Sequence, residues 1–310
     1  MSLLLNLFLL VLGFVLLVKG ADFFVDGAAG IARKFGIPDL IIGLTIVAMG
    51  TSAPEAAVSI TGAFKGSVDI SIGNVVGSNI MNVLVILGLA AFIIPIAVGK
   101  STVKYEIPFL IAISILFPIL GLDGTISRLD GVILWACFIA YLVYLFKMAK
   151  EGKEEEKTAK NISVPMALIM TVGGAAMIVF GSDFAVDSAS AIARTFGMSE
   201  RFIGLTIVAL GTSLPELFTS VTAARKGNVD IAIGNIVGSN IFNYLFVIGT
   251  SSLIIPITFA SSFIIDAIIA LVAACFLWLC VFKDRELARI GGSCMLAGYV
   301  VYFIYIAFLR

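Results

Sequence analysis

Long apolar stretches alternate with short polar ones along the whole chain. Stretches of about 17–25 apolar residues are long enough to cross the hydrocarbon core of a bilayer, and helices satisfy their own backbone hydrogen bonds there. The pattern therefore predicts an all-α polytopic membrane protein with ten transmembrane helices. Their predicted bounds are 3–18, 37–64, 69–97, 106–121, 129–146, 162–180, 202–224, 230–257, 263–282 and 290–309.

Composition supports this class and narrows the functions. The 310 residues are 60% hydrophobic and 13% charged, with a mean hydropathy of +1.13, whereas soluble domains carry about 25% charged residues. The chain has no His, which removes the commonest general base. No Lys and no pair of Asp lies mid-span, and no basic stripe suggests nucleic acid. We therefore expect neither an enzyme nor a nucleic-acid-binding protein, and no cofactor.

The chain contains an internal repeat. Residues 43–88 recur at 204–249 with a constant offset of 161, and 30 of the 46 aligned positions are identical. We call two residues equivalent when they are separated by this offset. The repeat predicts a first five-helix half over 1–150, a linker over 151–161 and a second five-helix half over 162–310.

The two halves are expected to enter the membrane from opposite faces. The first and sixth spans are repeat mates, and an odd number of crossings separates them. The result is an inverted-topology repeat, which is the architecture of many secondary transporters, with the substrate site near the midplane between the repeats.

The basic residues predict the orientation. Fifteen Lys and Arg lie on the side of the loops after odd-numbered spans, against five on the other side. Because cytoplasmic loops carry the excess of basic residues, we expect both termini outside and the loop 147–161 in the cytoplasm of a multi-pass protein of the cell membrane. That mixed-charge loop is too short for a folded regulatory domain, and no obligate protein partner is evident.

A Pro-Glu motif occurs once in each repeat, in the middle of an apolar run. The first copy is Gly50-Thr-Ser-Ala-Pro-Glu55 and the second is Gly211-Thr-Ser-Leu-Pro-Glu216. Proline removes a backbone donor and breaks the helix, so carbonyls near Ala48 and Ala209 are expected to face a cavity. The hydroxyls three and four residues before each Glu lie on the same helix face as the carboxylate: Thr51, Ser52, Thr212 and Ser213.

The next helix of each repeat carries a second polar pattern. The pairs are spaced i, i+4 and form one polar stripe on the helix: Ser78 with Asn82, and Ser239 with Asn243. A GxxxG pattern, formed by Gly73 with Gly77 and by Gly234 with Gly238, lets another helix backbone approach closely. The remaining asparagines of these helices are expected to form interhelical hydrogen bonds: Asn74, Asn79, Asn235 and Asn240.

These side chains form a pool of oxygen ligands without sulfur, imidazole or basic groups. Such a pool suits a hard cation, either Ca²⁺, which takes 6–8 oxygens, or Na⁺. Two carboxylates balance one Ca²⁺ or two Na⁺. A site that holds either cation, but not both together, produces exchange.

The paired motifs resemble the α-repeats of the cation/Ca²⁺ exchanger superfamily, and GTSAPE/GTSLPE with GN-[VI]-VGSNI is similar to its Na⁺/Ca²⁺ exchanger branch. The resemblance covers essentially the whole chain. It implies ten helices in two inverted halves, exchange of several Na⁺ for one Ca²⁺, and alternating access by sliding of helices 1 and 6 across a fixed core. It also implies cation ligands at Ala48, Thr51, Ser52, Glu55, Ser78, Asn82, Ala209, Thr212, Ser213, Glu216, Ser239 and Asn243.

One position departs from the family pattern. Many relatives have an Asp where this chain has Asn243, whose equivalent in the first repeat is Asn82. An Asp could take up a proton when the cations leave, whereas an Asn cannot, so stoichiometry and pH dependence are open at this position.

Three other functions fit parts of the pattern. Buried glutamates can carry protons, which would give Ca²⁺/H⁺ exchange, although the proton-coupled branch usually has a GNxxE-type motif in place of GTSxPE. K⁺-dependent Na⁺/Ca²⁺ exchange fits the same ligands. A passive cation channel would also fit the oxygens, but inverted repeats with broken helices favour alternating access.

Overall fold

The computed structural model describes residues 3–65, 68–151, 162–197 and 209–308. Within this part of the chain nearly every residue is helical. The expected linker lies outside the described residues except for Glu151, and so does the start of the span predicted at 202–224.

The described part of the first half contains six helices and two short strands. They are α1 (Leu3–Phe35), α2 (Asp39–Thr51), α3 (Ala53–Phe64), α4 (Val68–Met81, continued by Asn82–Leu87 and Gly88–Ile93), β1 (Ile96–Ala97), α5 (Thr102–Leu120), β2 (Thr125–Ile126) and α6 (Arg128–Glu151). Three segments of these helices have the wider π-helical turn: Gly43–Val47, Asn82–Leu87 and Thr102–Glu106.

The second half follows the same plan. Its elements are α7 (Val164–Thr195), α8 (Ala209–Thr212), α9 (Leu214–Arg225), α10 (Val229–Ile254, with π-helical turns at Asn243–Ile248), β3 (Ile257–Thr258), α11 (Ser261–Val281), β4 (Glu286–Leu287) and α12 (Arg289–Phe308). The bounds of α9 and α10 and of both strands equal those of their mates in the first half shifted by 161.

Eight helices of the described residues are long and apolar enough to cross a membrane, or nine if α2 and α3 count as one bent span. The bounds predicted for the first and sixth spans were wrong, because α1 is 33 residues long and α7 is 32. Both helices continue past the acidic residues at which hydropathy falls. A helix ends where its backbone hydrogen bonds end, and a few polar side chains do not stop it.

Helices α1 and α7 pack against each other in antiparallel directions. A Cβ placed on Gly13 would lie 2.7 Å from the carbonyl oxygen of Gly181, and one on Gly20 would lie 2.9 Å from that of Gly174. Residue numbers rise along α1 as they fall along α7. Because these glycines have no side chain, the two helix backbones can touch over several turns.

Two hydrophobic cores hold the bundle together. The larger one joins α2, α4, α5 and α6 to α10, α11 and α12. The smaller one consists mainly of alanines and joins α1 and α7 to the helices beside them. Short antiparallel strand pairs, β1 with β4 and β2 with β3, connect the two halves.

Candidate cation-binding site

Both Pro-Glu motifs break their helices as the sequence predicts. Helix α2 ends at Thr51, Ser52 has non-helical torsions (φ −83°, ψ 8°), and α3 begins at Ala53. The axes of α2 and α3 differ by 50°. Ser213 has nearly the same torsions (φ −91°, ψ 3°) before α9. The missing proline N–H leaves the carbonyl four residues earlier without its helical donor.

The two glutamates lie at these breaks and are buried. Glu55 is 1% exposed and Glu216 is 0% exposed. The Ser52 hydroxyl of the first repeat donates to Glu216 Oε1 of the second repeat at 2.8 Å. Glu55 Oε2 and Glu216 Oε2 have no hydrogen-bond partner among the described residues, and the two carboxyl groups are close enough to interact electrostatically. Buried carboxyl groups in this state are stabilised by binding a cation or a proton.

Four asparagines from α4 and α10 form a network between the repeats. The side-chain nitrogens of Asn79 and Asn240 donate to each other's backbone carbonyls at 3.2 and 3.1 Å. The nitrogen of Asn82 donates to Asn240 Oδ1 at 2.9 Å, and that of Asn243 donates to Asn79 Oδ1 at 3.1 Å. Asn82 Oδ1 and Asn243 Oδ1 remain buried without a partner in the described structure. The network thus uses the amide nitrogens and leaves two carbonyl oxygens available for a cation.

Further hydrogen bonds hold each broken helix to the next one. Asn74 donates to the carbonyl of Glu55 at 3.1 Å and to the Ser59 hydroxyl at 2.9 Å. Asn235 donates to the equivalent hydroxyl, that of Ser220, at 2.9 Å. Sequence reasoning missed both serines, although each lies four residues after its Glu and so on the same helix face.

The carbonyl of Ala48 is close to several predicted ligands. It accepts hydrogen bonds from the backbone N–H of Ser52 at 3.0 Å, from the Thr51 hydroxyl at 3.3 Å and from the Ser239 hydroxyl at 3.4 Å. The expectation that the proline frees this carbonyl was wrong, because Pro54 removes the helical donor of Gly50 instead. Thr51 also donates to Asn235 Oδ1 at 3.0 Å. Ser78 is buried one turn before Asn82. Ala48, Thr51 and Ser239 therefore meet at one point between α2 and α10.

The second copy of the motif is engaged differently. Ser213 is buried, but its hydroxyl has no partner in the described structure. Thr212 is half-buried, and only the backbone of Ala209 is described. The carbonyl of Gly211, which Pro215 deprives of its donor, accepts the Ser182 hydroxyl of α7 at 2.7 Å. Sequence reasoning did not predict Ser182, because its equivalent in the first repeat is Ala21.

The second GxxxG pattern brings α10 against α2. A Cβ on Gly234 would lie 2.9 Å from the Leu40 carbonyl oxygen, and one on Gly238 would lie 2.8 Å from the backbone of Leu44. For the first GxxxG pattern, the segment equivalent to Leu40–Leu44 lies outside the described residues. The close approach brings Ser239 to the broken end of α2.

The site is therefore a buried set of oxygens that includes two carboxyl groups. Within the described residues no three His, Cys, Asp or Glu come together as a transition-metal site would require. Carboxylate, amide and hydroxyl oxygens are the ligands of hard cations.

Comparison with known proteins agrees with this chemistry. A family model described as sodium/calcium exchanger protein matches residues 5–147 and 166–308. The chain belongs to the sodium/calcium exchanger family. This exchanger is 40% identical over 309 residues to the putative antiporter CaxA of Alkalimonas amylolytica, covering 96% of this chain and 97% of that one. It is 32% identical over 353 residues to the sodium/calcium exchanger MaX1 of Methanosarcina acetivorans, with 98% and 99% covered.

Solved structures of a related exchanger share the fold. The sodium-calcium exchanger NCX_Mj, soaked with zero Na⁺ and Ca²⁺, superposes with a TM-score of 0.87 at 34% identity and with 100% of both chains covered. This exchanger is thus a multi-pass membrane antiporter of the Na⁺/Ca²⁺ branch, and its relatives are transporters, not enzymes. That part of the sequence interpretation is confirmed.

Proposed function

We propose that this protein exchanges Na⁺ for Ca²⁺ across a cell membrane by alternating access. The observation that carries the proposal is a set of four buried oxygens that have no partner among the described residues, namely Oε2 of Glu55 and Glu216 and Oδ1 of Asn82 and Asn243. The proposed ligands are Ala48, Thr51, Ser52, Glu55, Ser78, Asn82, Ala209, Thr212, Ser213, Glu216, Ser239 and Asn243.

Charge balance explains why such a site exchanges cations. One Ca²⁺ or two Na⁺ neutralise the two carboxylates, and neutral amide and hydroxyl oxygens can hold a further Na⁺. Because both cations need the same carboxylates, they compete for the site. An empty site with both carboxyl groups ionised leaves two uncompensated charges buried close together, which disfavours changing face without cargo. Na⁺ as the coupled ion is supported by MaX1 and NCX_Mj, which are both sodium/calcium exchangers.

We infer an inverted repeat of ten spans from three observations. The bounds of α9, α10 and the strands match those of their repeat mates, and the repeat mates α1 and α7 run antiparallel. The strand pair β1–β4 is also equivalent to the pair β3–β2, since β1 is the mate of β3 and β4 the mate of β2. The tenth span would be completed by α8, α9 and the residues before them.

Equivalent residues differ in exposure, which supports a site that is open to one face. Thr51 is 2% exposed and Asn235 is 0% exposed, whereas their equivalents Thr212 and Asn74 are half-buried. The more exposed pair lies toward the membrane face at which α3 ends and α4 begins. By the charge bias of the loops, that face is the exterior.

An ion-pair group at the opposite face accompanies this state. Lys226 in the α9–α10 turn contacts Asp22 of α1 at 3.2 Å and Asp26 at 2.8 Å. The equivalent group is Lys65 with Asp183 and Asp187, and no ion pair joins these residues in the described structure. We propose that the two groups form alternately, each closing one face by fixing α1 or α7 to the core.

The proposal extends to location and partners. Both termini would lie outside and the loop 147–161 in the cytoplasm. The exchanger would work in the bilayer with Na⁺ and Ca²⁺ as its transported ions, without a bound cofactor, regulatory domain or obligate protein partner.

The test is uptake of radioactive Ca²⁺ into proteoliposomes of the purified protein. We expect uptake when the interior holds Na⁺, and none when it holds only K⁺ or when only a pH gradient is present. Glu55→Gln and Glu216→Gln should each abolish it, since each keeps the side-chain shape but removes a charge. Uptake driven by the pH gradient alone would show that protons, and not Na⁺, are the coupled ions. A requirement for K⁺ together with Na⁺ would indicate K⁺-dependent exchange.

A further inference from the structure

A basic cavity opens between the start of α5 and the end of α11. Its volume is about 480 Å³, and it is lined by Lys100, Val103, Lys104, Pro108, Trp278, Phe282, Lys283 and Arg285. Four of the eight lining residues are cationic, and the other four are apolar or aromatic. Asp284 and Glu286, which flank Arg285 in the chain, do not line it.

The cavity lies at the edge of the membrane, because α5 begins and α11 ends there. Trp278 donates its Nε1–H to the carbonyl of Val103 at 3.0 Å and packs on Phe282 with ring centroids 4.7 Å apart. Trp is enriched at the level of lipid head groups. The cavity thus combines an apolar wall with exposed cations at head-group depth.

The equivalent positions at the other membrane face carry no positive charge. Lys100 and Lys104 are matched by Ser261 and Ile265. Lys283 and Arg285 are matched by Leu122 and Gly124. The internal repeat therefore supplies a control that shares the fold, and the four cations are a feature of one face only.

Arg285 is held in an unfavourable backbone conformation. Its φ is +52°, and among the described residues it is the only one other than glycine with a positive φ. Its equivalent Gly124 has a φ of +89°, which glycine adopts without steric cost. The two residues make the same contact. The carbonyl of Arg285 accepts a hydrogen bond from the backbone N–H of Val98 at 2.8 Å, and the carbonyl of Gly124 accepts one from that of Phe259 at 2.8 Å. The turn needs glycine geometry, yet this copy has a cation.

We propose that this cavity binds the phosphodiester head group of an anionic phospholipid, such as phosphatidylglycerol. The phosphate would lie among Lys100, Lys283 and Arg285, and an acyl chain would follow the apolar surface of Trp278 and Phe282. Basic pockets between helices at a membrane face recognise anionic head groups in this way. The inference does not depend on which cations the exchanger carries.

The test is a lipid titration of the full-length purified protein in detergent, followed by native mass spectrometry. Phosphatidylglycerol and phosphatidylcholine with the same acyl chains are compared. We expect preferential binding of phosphatidylglycerol, weakened roughly fivefold for each cation removed from the cavity. The variants are Arg285→Gly alone and Arg285→Gly with Lys100→Gln and Lys283→Gln. Arg285→Gly alone carries the test if the triple variant fails to fold, since glycine fits this turn.

The matched control removes three exposed cations outside the cavity, by Lys34→Gln, Lys147→Gln and Lys150→Gln. We expect the control to keep the preference for phosphatidylglycerol. Equal loss in the control and the cavity variants would reduce the effect to surface charge and overturn the proposal, as would an absence of preference in the unaltered protein. Displacement of the lipid by millimolar inorganic phosphate would show a simple anion site and would also overturn it.

Discussion

At the scale of single residues, the orientation of the amides decides which atoms can bind a cation. The nitrogens of Asn82 and Asn243 donate to the neighbouring asparagines, so their oxygens are left for the site. The sequence predicted both residues as ligands. It could not predict the orientation, because that depends on Asn79 and Asn240 meeting across the two repeats.

Asn243→Asp tests the chemistry of this position. A carboxylate there removes a hydrogen bond to Asn79 Oδ1 and adds a group that takes up protons. We expect Na⁺-dependent Ca²⁺ uptake of the variant to fall more steeply as pH is lowered than uptake of the unaltered protein, because protons compete with the cations for the added carboxylate. The measurement is the initial uptake rate across a pH series, and identical profiles would contradict the account.

At the scale of elements, the helix breaks and the close helix–helix contacts could be predicted better than the helix lengths. Pro54 and Pro215 fix the breaks because proline lacks a donor, whatever the surroundings. The ends of α1 and α7 were misjudged because hydropathy describes the fit to lipid and not the hydrogen bonds that continue a helix. The contact of Ser182 with Gly211 depends on how α7 crosses α8, which a local pattern does not contain.

The antiparallel packing of α1 on α7 gives a prediction with an adjacent control. A Cβ on Gly174 would lie 2.5 Å from the backbone nitrogen of Phe24, whereas no atom lies within 4 Å of one on Gly173. We expect Gly174→Ala to force the helices apart, lower stability by about 1–3 kcal/mol and reduce exchange.

Gly173→Ala should leave both properties unchanged or raise stability slightly, since alanine favours helix by about 1 kcal/mol over glycine. Thermal unfolding in detergent and Ca²⁺ uptake check both variants. Equal behaviour of the two variants would show that the contact between α1 and α7 does not need a glycine.

At the scale of the whole molecule, the ion-pair group of Lys226 and the equivalent group of Lys65 are proposed to form alternately, each when its own membrane face is closed. Exposed ion pairs contribute about 0–1 kcal/mol each, and Lys226 makes two of them, so removing its charge should change the ratio of the two states by at most about thirtyfold. We expect Lys226→Gln to favour the state closed at the Lys65 face, and Lys65→Gln to favour the state described.

The ratio can be measured from the distance between two spin labels by electron–electron double resonance. The labels are attached at Phe64 and Thr195, which are exposed at the Lys65 face, in a variant that lacks the four native cysteines. Lys226→Gln should increase the population with the shorter distance and Lys65→Gln the population with the longer one. Shifts in the same direction would contradict alternate formation of the two groups.

The central claim is that one buried site accepts either cation and never both kinds together. Isothermal titration calorimetry of the purified protein with Ca²⁺, repeated at a series of fixed Na⁺ concentrations, measures directly whether Na⁺ and Ca²⁺ compete for the site. We predict that Ca²⁺ binds at the paired glutamates, that its apparent affinity falls steadily with Na⁺, and that Glu55→Gln with Glu216→Gln removes the binding. Ca²⁺ affinity that levels off at high Na⁺, or that survives in the double variant, would show separate sites and contradict the account.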